Sequence, residues 1–191
     1  SVTMSHIITS QDDISRIIYE DEWMMRVLRA AEEINLPDWW IGAGFLRNKV
    51  WDYLSGNVST PTSDVDLVYF NASNTAAESD WSYDDMTNKR YAFANWQIRN
   101  QARMHVINDF KPFTSTIDGI EHWVETATCI AVRLNNGSLE YIFCYGSDDL
   151  LGLIARPTPL FTHTSRIDTF HKRVKSKQWQ QKWPNLKIML S

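Results

Sequence analysis

Apolar residues recur at helical spacing through Ile14, Ile17, Met24, Leu28 and Ala31, which predicts one helix from Ser10 to Leu36. Ser10 followed by Asp13 forms a capping pattern at its start, and Pro37 is its stop. The short apolar run "WWIG" (Trp39–Gly42) reads as a strand. Leu46, Val50 and Leu54 share one side of a second helix, Gly44–Ser55. Turn residues fill Gly56–Ser63, and Asp64–Phe70 then alternates as a strand, with Val65, Leu67 and Tyr69 on the packed face.

Further along, Asn74–Phe93 is polar and acidic, in part helical and exposed, and Asn95–Arg103 looks extended. Thr116–Val124 is a short helix. Thr128–Cys144 is a hairpin with Asn136-Gly137 at its tip. A two-residue turn there pairs Arg133 with Glu140 and Ile130 with Phe143. It also puts Ile130, Val132 and Leu134 on one core face with Leu139, Tyr141 and Phe143. Cys129 falls opposite Cys144, and both read as small buried thiols. Ser147-Asp148-Asp149 caps another short helix that "RPTP" ends, and Ser165–Gln181 is helical. No internal repeat or linker divides the chain.

The expected organisation is a single domain over 1–191: an N-terminal helix at 10–36, a core at 36–160 and a C-terminal helical tail at 161–191. The 191 residues are 43% apolar and include nine tryptophans, enough for a real core. No apolar run is long enough to span a bilayer, and the N-terminus lacks a charged-then-apolar signal pattern. Two cysteines outside any metal-type pair fit a reducing cytoplasm, so a cytoplasmic location and no membrane partner are expected.

The net charge of -4 conceals an asymmetry. From residue 161 onward, seven Lys/Arg stand against Asp168 alone, a charge of +6, which leaves -10 on the remainder. Such a tail can dock on nucleic acid or on the acidic body. The expectation is that it packs on the domain with its lysines solvated, and that it is no dedicated nucleic-acid arm.

The candidate chemistry gathers between Trp39 and Phe70. Strand alternation points Asp64 and Asp66 the same way, with Cα atoms about 6.5–7 Å apart. Two carboxylates on one face repel unless a cation joins them, and Mg²⁺ shares such ligands with substrate phosphates. Gly42 ends a strand and Gly44 opens a helix whose N–H groups suit an anion, and Arg47 can add a charged fork one turn in. The other reading of the same letters is a tight turn with an exposed arginine. His6, His122, His163 and His171 have no partner at metal-ligand spacing. His105, beside Arg103, is balanced between a functional and a structural role, and Glu125 reads as a structural group that orients an arginine or caps a helix. Trp39, Trp40 and Trp51 read as core and pocket wall, and neither a Ser/His/Asp set nor a Walker loop stands out.

The order strand, glycines, helix with an early arginine, turn, Asp-x-Asp resembles the nucleotidyltransferase superfamily that includes DNA polymerase β. Its nearest likeness is the head domain of CCA-adding enzymes, with the pattern Gly-Gly-x-x-Arg-Asp, helix, Gly, Asp-x-Asp. Here it stands as Gly42-Ala43-Gly44-Phe45-Leu46-Arg47-Asn48, then Gly56, then Asp64-Val65-Asp66, with a helix about one turn longer. The blocks "IGAGFLRNKVWDYLSG", "SDVDLVYF", "NWQIRNQARMH", "ETATCIAVRL" and "DDLLGLIARPTP" are similar to the small stand-alone bacterial nucleotidyltransferase-like proteins, in order from Leu36 to Leu160.

The resemblance implies an α+β nucleotidyltransferase fold: a mixed sheet backed by helices, with N- and C-terminal helical extensions. It implies a Mg²⁺- or Mn²⁺-dependent transfer of NMP from an NTP, with pyrophosphate release. Asp64 and Asp66 would be the catalytic, metal-holding pair, and Gly42, Gly44, Arg47 and Asn48 would bind the triphosphate. The acceptor stays open among a small molecule, a protein and an RNA end. CCA addition is not expected, because those enzymes carry further domains for base selection and tRNA grip. Superfamily enzymes place a third carboxylate on a later strand. Alternation along Asn95–Arg103 turns the odd positions, Gln97 and Arg103 among them, to the site. The narrower family usually holds glutamate at position 97, where this chain has neutral Gln97. The alternative is therefore a nucleotide-binding or sensing module with weak or lost catalysis.

Overall fold

A computed structural model describes residues 6–58 and 64–191. The first expected helix is two: α1 (Gln11–Tyr19) and α2 (Glu22–Ile34). Ser10 Oγ accepts from the Asp13 N–H at 3.4 Å, and the Asp13 carboxylate reaches back to the Thr9 N–H at 2.8 Å, so the first start is capped from both sides. Asp21 then takes an extended conformation and accepts from the Met24 N–H at 2.9 Å, which begins a new helix. The α2 helix ends at Asn35 in the left-handed region, two residues ahead of Pro37.

Strand β1 (Trp40–Gly42) runs into α3 (Gly44–Leu54), and β2 (Val65–Tyr69) follows. Part of the expected Gly56–Ser63 loop, residues 59–63, lies outside the described residues. Helix α4 (Ala77–Arg90) crosses over to β3 (Trp96–Asn100). The extended stretch expected to continue to Arg103 stops there, and Gln101–Asn108 is a 3-10 helix. The Asn100 side chain causes the turn, because its Oδ1 accepts from the Ala102 N–H at 3.1 Å. Then come α5 (Thr116–Glu121), β4 (Ile130–Asn135), β5 (Ser138–Phe143), α6 (Asp148–Leu151) and β6 (Ile154–Ala155). The chain closes with α7 (Pro159–Thr162), α8 (Ile167–Lys177), α9 (Trp179–Lys182) and β7 (Lys187–Ile188). Gly152 and a left-handed Leu153 end α6, and "RPTP" lies beyond β6 and opens α7 instead. Among the described residues, no helix is long and apolar enough to cross a membrane.

The main sheet has the order β3-β2-β1-β4-β5, with β2 and β3 parallel and the other neighbours antiparallel. It is a mixed sheet in an α+β fold, as expected. The hairpin keeps the expected register, Arg133 opposite Glu140 and Ile130 opposite Phe143, because Asn136 and Gly137 both take the positive φ that a tight two-residue turn requires. Helices α1–α3 pack on the face carrying Ile41, Leu67, Ile98 and Val132. The other face, with Trp40, Val68 and Ala131, is covered by Ile120 and Trp123. Cys129 is buried and Cys144 half-buried, and both are free thiols.

Two acidic residues of the stretch that reads as exposed, Asp80 and Asp84, are structural. Asp80, fully buried on α4, accepts from the Tyr69 hydroxyl at 2.7 Å and the Asn100 N–H at 2.9 Å. Asp84 accepts from the Ile98 N–H at 2.6 Å and from Arg99 at 2.7 Å. These bonds tie polar α4 to the edge strand β3, a job its sparse apolar residues would do poorly. At the C-terminus, Trp179 and Trp183 meet Trp51 of α3 edge-on, at 6.3 and 5.0 Å between ring centres, and Asp52 accepts from the Trp183 indole N–H at 2.8 Å. The tail is thereby fastened to α3.

Candidate active site

The β1–α3 turn, the start of β2, the Trp123–Thr128 segment and the last turns of α8 enclose a cleft of about 300 Å³. Asp64 and Asp66 both line it. Asp66 is the cross-strand partner of Gly42, and Asp64 precedes β2, where it accepts from Asn95 Nδ2 at 2.7 Å. Burial raises the Asp66 pKa above the usual carboxylate value, and the neighbouring Asp64 adds to this. Lys177, Arg47 and Arg99 oppose it.

Between β1 and α3 the chain turns sharply at Ala43, with φ 53° and ψ -120°. The Ala43 N–H is held by the Ile130 carbonyl at 2.9 Å, and the Leu46 and Arg47 N–H groups return to the Ala43 carbonyl at 3.1 and 3.0 Å. Ala43 and Gly44 line the cleft, so the helix opens onto it with the first N–H groups that an α-helix cannot satisfy internally. The two glycines differ in purpose. A Cβ on Gly42 would lie 2.4 Å from Trp123 Cη2, so this glycine admits the Trp123 indole, which lines the cleft beside it, and not a ligand. A Cβ on Gly44 would stand 3.3 Å from Arg47 Nη2 and 3.4 Å from Asn48 Nδ2, the two polar heads expected in the phosphate cradle.

Arg47 is only 6% exposed, unlike the exposed arginine of the alternative reading. Its Nη1 donates to Thr128 Oγ1 at 2.9 Å and its Nε to Asn48 Oδ1 at 3.2 Å. The Thr128 hydroxyl donates onward to Glu125 Oε1 at 2.6 Å. Glu125, buried, also accepts from Arg173 Nε at 2.7 Å and Nη2 at 2.9 Å. Glu125 therefore orients an arginine, as one of its two structural readings held. Burial lowers the Arg47 pKa to about 10; Glu125 opposes the shift and Arg173 adds to it, and the guanidinium stays charged at neutral pH. For Arg173 burial also acts against the charge, but its bonds to Glu125 outweigh that and raise its pKa.

Gln97 is the direct partner of Asp66 across β2 and β3, on the same side of the sheet, although it is not among the residues that wall the cleft. Arg103 is elsewhere. It follows the end of β3, donates to Asp80 at 2.6 and 2.9 Å and, with His105, borders a second hollow next to Phe113. The strand ends at Asn100, so the alternation that pointed Arg103 at the site does not reach it. Arg173 and Lys177, two of the tail charges, wall the cleft. Their signal was a spacing of four on one helix, on the side of buried Phe170.

Among the described residues, no group of three or more His, Cys, Asp or Glu could hold a metal ion. The donor set that is present, two carboxylates with a glutamine amide beside Asp66, suits a hard cation that takes its remaining oxygens from substrate phosphates and water.

With 27% identity and a TM-score of 0.88, 97% of the chain aligns with 98% of a protein whose NMR structure was described as revealing a CCA-adding enzyme head domain. A CCA-adding enzyme in complex with CTP aligns at 19% identity and TM-score 0.57, over 92% of this chain and 43% of that one. The Thermotoga maritima CCA-adding enzyme complexed with tRNA aligns at 15% identity and TM-score 0.56, over 92% and 42%. The last two share the fold, and the chain spans less than half of their length. No curated protein sequence matches the chain. A nucleotidyltransferase family model matches residues 29–188, and the chain belongs to that family.

Proposed function

We propose that the cleft binds a nucleoside triphosphate with Mg²⁺ or Mn²⁺ and transfers its NMP to an acceptor hydroxyl or phosphate, releasing pyrophosphate. One observation carries this reading: a paired carboxylate and a cationic wall line the same cleft onto which α3 opens. Asp64 and Asp66 would hold the metal, which when bound neutralises phosphate charge. The α3 N-terminus, Gly44, Asn48 and Arg47 would position the triphosphate, and catalysis would come from placement and charge complementarity. An acceptor oxygen, a hydroxyl passing its proton to solvent water, forms a bond to the α-phosphorus as the bond to the bridging oxygen breaks, and that electron pair leaves with pyrophosphate. Relatives solved with CTP and with ATP support a nucleotide as ligand. The free thiols fit a cytoplasmic setting, and α8, packed on the domain, fits no separate nucleic-acid arm.

Gln97 favours a second reading, a nucleotide-binding module with slow or absent turnover, because the strand position beside Asp66 adds no charge. A screen of the four NTPs with Mg²⁺ and Mn²⁺, reading binding and pyrophosphate together, separates the two. Metal-dependent binding with pyrophosphate release supports transfer, and binding alone supports the module. Absence of saturable binding would sink both.

A further inference from the structure

We propose that Lys177, at the end of α8, grips the β- and γ-phosphates of the nucleotide, so that the cleft selects a triphosphate over a monophosphate. This rests on the nucleotide reading of the same cleft and assigns the C-terminal helix a part in it.

Three cations wall the cleft: Arg47, Arg173 and Lys177. Two are partly committed to protein groups. Arg47 spends Nε and Nη1 on Asn48 and Thr128, and Arg173 spends Nε and Nη2 on the Glu125 carboxylate. Lys177 makes no hydrogen bond or ion pair among the described residues. Its ammonium is a compact charge on a flexible stem, with three donors to offer.

The neighbours of Lys177 hold its backbone on both sides. One turn earlier, Arg173 is locked to buried Glu125. One residue later, Gln178 takes φ 50° and ψ 43°, ending α8 and turning Trp179 inward. Trp179 is 4% exposed, lies edge-on to Trp51 of α3 and sits below the Arg47 guanidinium at 5.2 Å. The end of α8 is therefore pinned to the helix that opens the cleft, and it holds the root of the Lys177 side chain at the cleft wall. A site whose frame is rigid and whose cation is unspent needs little reorganisation to take an anion.

The surroundings indicate which anion. Burial, then Arg173 and Arg47, disfavour the Lys177 charge, and Asp66 and Glu125 support it. A ligand with several negative charges relieves the mutual repulsion of the three cations. If it also carries a divalent cation, it relieves the repulsion between Asp64 and Asp66. A metal-bound triphosphate does both, whereas a monophosphate reaches fewer of these groups.

Calorimetric titration in Mg²⁺ of wild type, Lys177→Ala and Lys177→Arg with ATP, AMP and inorganic tripolyphosphate tests this. Lys177→Ala is expected to weaken ATP and tripolyphosphate by about tenfold or more, as for a lost charge-assisted contact. AMP should change by less than about twofold, and Lys177→Arg should recover most of the loss. Equal losses for ATP and AMP, or none for ATP, would overturn the role of Lys177 and leave the proposed function standing. A wild-type protein that binds neither ATP nor tripolyphosphate would overturn both.

Discussion

Gln97 lies directly beside Asp66, its partner across the parallel strands β2 and β3, with both side chains on the same side of the sheet. A carboxylate at 97 would complete an acidic trio without moving the backbone. Gln97→Glu is expected to tighten Mn²⁺ binding by roughly tenfold, the value of one charged ligand, and to raise any pyrophosphate release. Metal titration and a pyrophosphate assay check both. Fast wild-type turnover that neither Gln97→Glu nor Gln97→Ala alters would rule out a need for a third acid.

Asp66→Asn is expected to abolish metal-dependent nucleotide binding and to stabilise the metal-free protein. The sign follows from the raised pKa of Asp66. Between the ordinary carboxylate value of 3.8 and the raised one, the folded state holds a proton that the unfolded state has lost. Ionising Asp66 therefore costs stability as pH rises through that window, and the cost is full above it. Urea midpoints of wild type and Asp66→Asn should converge near pH 3 and separate towards neutrality, with the variant higher. A variant less stable than wild type at pH 7 would show that Asp66 has a structural role.

Glu125→Ala removes the partner of a guanidinium that is 28% exposed and leaves the Thr128 hydroxyl without its acceptor. The expected loss is about 3 kcal/mol, the lower end for breaking a buried pair, because Arg173 keeps some water. The double change Glu125→Leu with Arg173→Met should recover most of it in urea unfolding while still failing to bind ATP tightly. Recovery of binding as well would mean the network is not needed to hold the cations.

Ala43→Gly should stabilise the protein by about 1 kcal/mol. Ala43 sits at φ 53° and ψ -120°, a conformation that glycine adopts without Cβ strain. Thermal unfolding checks the sign, and a lowered midpoint would show that the alanine methyl contributes packing that outweighs its strain.

Local signals made most of the fold legible. The hairpin could be read because Asn136-Gly137 sets its register within a few residues. The break between α1 and α2 was hidden because Ile14, Ile17, Met24, Leu28 and Ala31 keep one apolar stripe across it, and Asp21 acts through its own side chain instead. The end of β3 was hidden in the same way, by the Asn100 side chain, and Arg103 turns to Asp80 and not to the cleft. Around the candidate cleft, Gly44, Arg47, Asp64 and Asp66 come from one short stretch of chain, so their lining of one cleft was legible. Trp123, Thr128, Arg173 and Lys177 come to the cleft from far along the chain, and only packing unites them.

The cleft is assembled from distant parts of the chain, and this sets an order in time. Asp64 and Asp66 leave the ribosome well before Lys177. At a synthesis rate of about 5–20 residues per second, the gap is on the order of 10 s. During that interval the nascent chain carries the two aspartates and Arg47 without the two cations of α8, Arg173 and Lys177. The cleft gains its α8 wall only after residue 183 has been made, when Trp179 and Trp183 dock against Trp51 and bring α8 to it.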